Sequence, residues 1–526
     1  MNKLTLKDIF FGQTDAKNEF SNNSPAEKEA FIQSFLVPDN ISLESIRSGK
    51  TFFITGLKGT GKTALMRYIS LVLEKFEGYH SHFFLFKDEI GEDEKADFNK
   101  GSEWIRIEYG NPDDQGKDYE TVWEWFILRK IVEVCEKKDI KLFKKDENWE
   151  RFVTCVKKVS LDDKANNTLF PKLDSNNIVN KGAFPESINV NLKDSDIKEN
   201  NDIIRMRFVD YIKHILSYYS ELTPDEEKLY FFIDEVELSY GKRTQYLRDI
   251  FMIRDLIITI DRINRITREK NYGLYIITGI RSEVLNSTQS AGKEINKPIE
   301  DFGVNLMWEQ SGKLSDHPLI KIIHKRLIAA EKSLDEKDRN NESEIWEKYF
   351  PKKIKDKPAQ NYILYQTWFR PRDIVRLLNI AKRQDPHAEY FTTGIFGRIR
   401  KEYSTRSWNE HAEELKTTYT TDEIEGIKRI LTGISCPFTY DEILEKAEAA
   451  KKNYSPVRKL LSGYNLSDVL IHLYNIGIIG NTGDAVRYAF RGDPDLLLEE
   501  KMKIHDALWS YLTISAKGFS YHKNKA

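Results

Sequence analysis

A glycine-rich turn carries the clearest candidate chemistry in this sequence. It reads Gly56-Leu-Lys-Gly-Thr-Gly-Lys-Thr63 and follows a β-branched and aromatic run at 51–55. Glycines let the backbone curl until its N–H groups converge on one anion, and the next helix adds positive potential at its N-terminus. Lys62 would then reach the β- and γ-phosphates, and the Thr63 hydroxyl would hold Mg²⁺. The segment therefore predicts a loop that binds a nucleoside triphosphate.

Two carboxylates form a second candidate group. Leu229-Tyr-Phe-Phe-Ile-Asp-Glu235 is a continuous apolar run, typical of a buried parallel strand, that ends in two acids. Ligands of such sheets lie beyond the carboxyl ends of the strands, so we expect both acids beside the glycine-rich turn. Asp234 fits an outer Mg²⁺ ligand, and Glu235 fits a base that polarises an attacking water.

Arginines supply candidate sensors of the γ-phosphate. The apolar run Gly273-Leu-Tyr-Ile-Ile-Thr-Gly-Ile-Arg281 predicts another strand, and either Thr278 or Arg281 at its end is placed to read the phosphate. Arg281 has the stronger electrostatic case. Arg370 and Arg372 flank a predicted helix start, where the helix dipole disfavours cations. They are either solvated and partly offset by Asp373, or opposed by an anion, and we favour the anion.

These groups require a parallel sheet with helices on both faces. The sequence predicts five strands, at 51–55, 104–108, 229–235, 273–281 and 303–308, with helices at 64–76, 119–138, 203–217 and 244–270. Residues 142–198, of which 162–198 are rich in Asn, Asp, Lys and Ser, predict an insertion on the surface. The N-terminal segment 10–19 and a helix at 27–36 either cover the nucleotide's base or brace the sheet.

The second half of the chain changes to helical patterns. Helices predicted at 317–330, 343–349, 362–369 and 371–382 suggest a lid. Helices at 422–431, 440–450 and 466–474, a hairpin at 478–490 and a final helix at 501–512 indicate a winged helix. The resulting domains are a lead segment 1–50, a nucleotide-binding core 51–310, a lid 311–415 and a winged helix 416–526.

The amino-acid composition limits the kinds of partner that the protein can bind. The 526 residues include 81 basic and 83 acidic side chains, so any contact with nucleic acid must be local. The third winged-helix element, 466–474, carries no Lys or Arg, which favours a regulatory or protein-contacting role; Arg487, Arg491, Lys451 and Lys452 are the cations able to meet phosphates there. Arg262, Arg265 and Arg268 share one helix face, either solvated or reaching a neighbouring subunit.

The same composition indicates a cytoplasmic protein. The N-terminus lacks the apolar core of a signal peptide, and no apolar run is long enough to cross a membrane. The three cysteines are far apart and match no metal or redox spacing, so we expect reduced, buried thiols.

Taken together, these motifs resemble a bacterial P-loop ATPase of the AAA+/STAND type. The turn ending at Thr63 corresponds to Walker A, the 229–235 run to Walker B with an adjacent glutamate, and Arg370-Pro-Arg-Asp373 to a lid motif. Phe11 to Glu19 is similar to an opening Phe-Gly-x-x-x-Ala-x-x-Glu-like segment with one residue's shift in spacing. Proteins of this kind are often associated with defence against phage.

The resemblance implies an α/β fold, a P-loop NTPase parallel sheet flanked by helices, followed by a helical lid and a C-terminal winged-helix domain. It implies ATP and Mg²⁺ as cofactors, with Thr63 and Asp234 as the Mg²⁺ ligands. The implied catalytic residues are Glu235, Lys62, Arg281 as a sensor-1-like residue, and Arg372 or Arg370 as sensor 2. The implied cofactor-binding residues are Gly56, Gly59, Thr60, Gly61, Lys62, Thr63, Ala64, Asp234 and Arg370.

Three functions are compatible with these expectations. The first is an ATP-hydrolysing switch that controls self-assembly or a protein effector in trans, as a homo-oligomer and away from membranes. The second is a DNA-associated loader or a transposition- or origin-type regulator, with salt-sensitive DNA binding through Arg487 and Arg491. The third is a scaffold that binds ATP without turnover, and an intact Glu235 argues against it.

Overall fold

The computed structural model describes residues 4–19, 24–92, 95, 119–158, 178–180, 205–238, 243–289, 292–308, 313–332, 334, 344–416, 418–483, 486–493 and 495–517. Contacts divide the chain into two units. The sheet unit comprises Asp39–Lys58 and Lys62–Leu306, and the helical unit comprises Met1–Pro38, Gly59–Gly61 and Met307–Ala526. The glycine-rich turn therefore contributes residues to both units.

The sheet unit is built on seven strands among the described residues. Their bounds are β1 Phe53–Gly56, β2 His80–Leu85, β3 Ile178–Asn180, β4 Arg205–Arg207, β5 Leu229–Val236, β6 Leu274–Arg281 and β7 Gly303–Asn305. Five of them form one sheet in the order β2-β5-β6-β1-β7, and every pair in it is parallel. The strands β3 and β4 pair separately and antiparallel. The predicted parallel α/β sheet is confirmed.

Helices cover this sheet, and one further helix leads into it. The helices of the first half of the chain are α1 Pro25–Ser34, which belongs to the helical unit, then α2 Leu43–Arg47, α3 Lys62–Glu77, α4 Phe86–Glu89, α5 Glu120–Lys138, α6 Glu147–Lys158, α7 Phe208–Ser220, α8 Arg243–Lys270, α9 Ser282–Gln289 and α10 Asn296–Phe302. Because the side chains of β5 from Leu229 to Ile233 are all buried, this strand is covered on both faces, as its apolar run predicts.

Two expectations about the sheet need correction. The fifth strand is β2, in a stretch for which no strand was predicted, whereas the predicted strand at 104–108 lies outside the described residues. The first part of the predicted insertion is also core. Helix α6 buries Phe152 and Cys155, and Phe143 pairs with Pro224 ahead of it, so residues 142–158 are not a surface excursion. Most of 159–198 lies outside the described residues.

The arginines at three-residue spacing on α8 also differ from expectation. Arg262 binds the carboxylates of Glu120 and Glu124 on α5. The Arg268 guanidinium lies 4.4 Å from the centre of the Phe302 ring. Both side chains therefore make contacts within the sheet unit, although Arg268, like Arg265, is exposed.

The helical unit continues with helices and short strands. Its helices are α11 Pro318–Glu331, α12 Ile345–Tyr349, α13 Ala359–Tyr365, α14 Pro371–Gln384, α15 Thr393–Arg398, α16 Arg400–Leu415, α17 Thr421–Leu431, α18 Tyr440–Asn453, α19 Ser455–Gly463 and α20 Leu466–Asn475. Its strands are β8 Lys353–Ile354, β9 Lys357–Pro358, β10 Ser435–Cys436, β11 Ile479–Thr482, β12 Val486–Arg487, β13 Lys501–Ile504 and β14 Ser515–Ala516. The predicted helical lid is confirmed in outline, and the β8–β9 hairpin within it was not predicted.

The C-terminal part has the elements of a winged helix. Helices α17 to α20 precede a three-stranded antiparallel sheet in the order β12-β11-β13. The predicted final helix at 501–512 is wrong, because β13 occupies Lys501–Ile504 and pairs with β11, with only a 3₁₀ turn at Asp506–Leu508 after it. Alternation of buried Met502 and Ile504 with Lys501 and Lys503 was the missed strand signal.

The N-terminal segment packs on α14 and α11 within the helical unit. Leu6 N–H donates to the Ala388 carbonyl oxygen at 2.8 Å, and Asn379 on α14 donates to the Gly12 carbonyl oxygen at 2.9 Å. Glu19 accepts a hydrogen bond from Arg326 on α11 at 2.7 Å. Both predicted roles of this segment, a cover for the base or ribose and a brace for the sheet, stay predictions.

The core position of α6 can be tested by Phe152→Ala. Because the Phe152 side chain is buried, we expect the truncation to lower the free energy of unfolding of the sheet unit by about 3–5 kcal/mol. Lys145→Ala, at an exposed side chain, is the matched control and is expected to change it by less than about 0.5 kcal/mol. Urea denaturation followed by fluorescence measures both. If the two variants are equally stable, α6 is not part of the core and the predicted surface insertion stands.

Candidate functional site

The glycine-rich turn joins β1 to α3. Gly59 and Gly61 have φ values of 84° and 100°, a region that side-chain-bearing residues rarely adopt, so glycine is required at both positions. Helix α3 begins at Lys62 directly after the turn. The first N–H groups of an α-helix have no acceptor within the helix, so those of α3 lie beside the turn, as anion binding needs.

Lys62 is almost buried at the start of α3. Its Nζ donates to the carbonyl oxygens of Gly56 at 2.7 Å and Leu57 at 3.0 Å. The Lys62 ammonium group therefore lies against the backbone of the glycine-rich turn and places a positive charge at the edge of that turn. A phosphate arriving there would meet a cation that is already desolvated and oriented.

Asp234 lies at the carboxyl end of β5 and is buried. Its Oδ1 accepts the Glu235 N–H at 2.8 Å, and the Thr63 hydroxyl also stabilises the carboxylate. Burial raises the pKa of Asp234, an effect that these hydrogen bonds and the charges of Lys62 and Arg67 oppose. Its Oδ2 is buried without a hydrogen bond from any described residue. A hydroxyl and an orphaned carboxylate oxygen side by side form a donor set that suits Mg²⁺.

Glu235 has a left-handed backbone, with φ of 57°. The pairing of β5 with β6 slips here, since Ile233 opposes Thr278 and Val236 opposes Ile280. Two residues, Asp234 and Glu235, therefore occupy the space of one. Such a bulge turns side chains out of the strand's alternation, and a strained non-glycine residue marks a functional position more often than a structural one.

The two γ-phosphate candidates on β6 have different surroundings. Arg281 opposes Gly56 in the sheet, and its guanidinium binds the Glu237 carboxylate. Thr278 is fully buried, and its hydroxyl has no hydrogen-bond partner among the described residues. Glu237 was missed by the sequence analysis, although it is the third acid in Asp-Glu-Val-Glu and its spacing from Glu235 was visible.

Arg370 and Arg372 lie in the helical unit beside Gly59. A Cβ on Gly59 would stand 3.4 Å from Arg372 Cβ and 3.5 Å from Arg370 Cδ. Arg370 is buried with Glu414 at 3.8 Å, and Arg372 binds Glu410 at 3.0 Å. Arg370 is shielded from solvent, whereas Arg372 is partly exposed. The carboxylates of α16 oppose both.

A small cavity of about 10 Å³, with room for about one water molecule, lies within the helical unit. Its lining is apolar apart from one arginine and consists of Phe11, Ile322, Ile323, Arg326, Pro371, Ile374, Val375 and Leu378. Pro371 also approaches the turn, since its Cγ would lie 3.9 Å from a Cβ on Gly61. Phe11 comes from the N-terminal segment, for which covering the base or ribose was one of two predicted roles.

The two arginines of the wing, Arg487 and Arg491, contact other side chains of the protein. Arg487 lies 3.3 Å from Glu500 and 3.9 Å from Asp493. The Arg491 guanidinium lies 5.1 Å from the centre of the Phe369 ring. These pairings weaken the expectation that the two arginines bind phosphates. Among the described residues, no helix combines the length and apolarity needed to cross a bilayer.

Comparisons with known proteins match parts of the chain. Residues 317–411 match the family described as a FunZ-associated C-terminal helical domain. A putative transposon gamma-delta 80.3 kDa protein of Escherichia coli K12 is 24% identical over 301 residues, which is 50% of this chain and 40% of that protein. The chain thus spans less than half of that relative's length. The crystal structure of Cdc6p from Pyrobaculum aerophilum is 11% identical with a TM-score of 0.31, over 94% of this chain and 97% of that one.

The strain at Glu235 gives a stability prediction. In a left-handed conformation alanine is disfavoured relative to glycine by about 1–2 kcal/mol, so we expect Glu235→Gly to be more stable than Glu235→Ala by about that amount. The same pair of substitutions at Glu300, an exposed residue within α10, is the control. There alanine is expected to be the more stable by about 1 kcal/mol. Thermal unfolding measures the stability of the four variants. If alanine is more stable than glycine at position 235 as well as at position 300, the backbone at Glu235 is not strained.

Proposed function

We propose that this protein is an ATP-binding and ATP-hydrolysing molecular switch. The observation that carries the proposal is the cluster of Lys62, Thr63, Asp234 and Glu235 within the sheet unit, at the carboxyl edge of the parallel sheet. One cation, one hydroxyl and two carboxylates at a glycine-rich turn are the groups that phosphoryl transfer to water requires.

Each residue has a distinct proposed role. Thr63 and Asp234 would hold Mg²⁺, which supplies charge neutralisation for the phosphates when bound. Lys62 binds the β- and γ-phosphates through its pre-oriented ammonium group. Glu235, turned out of β5 by the bulge, orients the attacking water and takes its proton. Arg281, held by Glu237, stabilises negative charge that develops on the γ-phosphate.

The base or ribose is proposed to lie against the N-terminal segment, where Phe11 packs beside Ile374 and Val375. Arg370 and Arg372 beside Gly59 are proposed to sense the phosphates.

The output of the switch is proposed to be self-assembly as a homo-oligomer or control of a protein effector. The resemblance of the motifs to AAA+/STAND-type ATPases supports a role in bacterial defence against phage, in the cytoplasm. A second candidate function is a DNA-associated ATPase. The similarity of half of the chain to a protein described as transposon-encoded favours it.

Hydrolysis can be separated from binding by two substitutions. We expect Glu235→Gln to lower kcat for ATP hydrolysis by about 10²–10⁴-fold and to preserve ATP binding, because only the proton-accepting group is lost. Lys62→Ala is expected to weaken ATP binding itself. Glu300→Gln is the matched control. Phosphate release and nucleotide-dependent oligomer size measure these effects, and a wild type that binds no nucleotide and keeps one size with or without ATP would refute the proposal.

A further inference from the structure

The β8–β9 hairpin in the helical unit is a strained and strongly cationic ribbon. Its two central residues, Lys355 and Asp356, have φ values of 47° and 65°. A two-residue hairpin turn with both central φ values positive normally carries Asn or Gly. In this hairpin a lysine and an aspartate occupy the two positions instead. The backbone of the turn is therefore strained, and the tip carries charged side chains.

Exposed cations surround this hairpin. They are Lys352, Lys353, Lys355 and Lys357 on the hairpin, with Arg398, Arg400 and Lys401 where α15 meets α16. The two groups are neighbours, since the Thr393 hydroxyl of α15 donates to the Lys353 carbonyl oxygen at 3.4 Å, and Arg400 acts electrostatically on Lys355. We call these seven side chains the hairpin patch.

The hairpin patch lacks counter-charges within the part of the chain that the structure describes. No carboxylate there forms an ion pair with any of the seven side chains, and Asp356 is the one acid in 352–358. The pKa of Lys355 is lowered by burial and then by Arg400, as expected where cations crowd one another. Lys459, elsewhere in the helical unit, is by contrast paired with Asp422.

An aromatic ring accompanies the charges. Lys357 Nζ lies 5.3 Å from the centre of the Tyr365 ring, which is 38% exposed on α13. The one large apolar side chain of the hairpin, Ile354, is fully buried. A surface that docks on a lipid bilayer combines cations with exposed apolar side chains that insert, and the hairpin offers none. Cations beside an exposed aromatic ring suit a sugar-phosphate backbone with accessible bases.

We propose that the hairpin patch binds the phosphate backbone of nucleic acid, with Tyr365 as a stacking surface. This proposal rests on no part of the ATPase proposal, and it gives the DNA-associated candidate function a site distinct from the winged helix. Because the contacts are to phosphates, binding is expected to be insensitive to sequence and steeply dependent on salt.

The test uses the full chain and a fluorescent random-sequence DNA, single-stranded and duplex, with the dissociation constant measured across KCl concentrations. We expect Lys353→Glu/Lys355→Glu to weaken binding about tenfold or more at 100 mM KCl. The slope of log K against log salt is expected to become shallower by about 0.7–0.9 for each phosphate that the variant no longer neutralises. The control is Lys451→Glu/Lys452→Glu, with the same charge change on the winged helix, and it is expected to bind within about twofold of wild type.

Other outcomes would overturn the proposal. These are absence of DNA binding by the wild type, equal losses in both double variants, or a loss confined to the winged-helix variant. Binding to phosphatidylserine vesicles without binding to DNA would assign the hairpin patch to a membrane and would overturn it as well. Tyr365→Ala is expected to weaken single-stranded DNA binding more than duplex binding. Matching circular dichroism and melting temperatures show that each variant is folded.

Discussion

The burial of Asp234 beside Thr63 and Lys62 is the constraint on which the sheet unit depends. A carboxylate removed from water costs several kcal/mol unless hydrogen bonds and an opposite charge offset it. The Glu235 N–H, the Thr63 hydroxyl and the Lys62 ammonium provide this offset, while Lys62 also satisfies the carbonyl oxygens of the turn. The strand, the turn and the start of α3 must therefore stay in register. In the sheet, β6 lies between β5 and β1. The carboxyl ends of these strands therefore bring Asp234 and the glycine-rich turn to the same edge, where both can contact a ligand.

The parts of this arrangement that local sequence determines were predictable. The turn needs glycine at positions of positive φ, and a strand buried on both faces must be apolar throughout, so β1 and β5 were both visible in the sequence. Side chains whose role is set by distant partners were not visible. Nothing in the spacing of Arg262 shows that Glu120 and Glu124 face it across α5 and α8. The bulge at Glu235 likewise arises from pairing with β6, which one strand alone cannot reveal.

Short elements account for most of the remaining errors. The strand β13 spans four residues and the β8–β9 hairpin only two on each side, below the length at which periodicity separates strand from helix or loop. The position of the N-terminal segment could not be predicted for a different reason. It has little regular structure, and its position follows from hydrogen bonds to α14 and an ion pair with Arg326, about three hundred residues away in sequence. Contacts of that kind leave no local pattern.

Within the helical unit, the arginines beside Gly59 are tied to the winged helix through one aromatic residue. Trp368 lies two residues before Arg370, and its indole stacks on His505 at 4.1 Å between ring centres and donates to the Gly477 carbonyl oxygen at 2.7 Å. The intervening Phe369 has a strained φ of 51°, so the backbone there has little freedom to adjust independently. A displacement of the winged helix must therefore move Trp368, and with it Arg370, or else break a buried hydrogen bond. Arg370 and the winged helix are therefore coupled through Trp368, so that a change in the position of one is transmitted to the other.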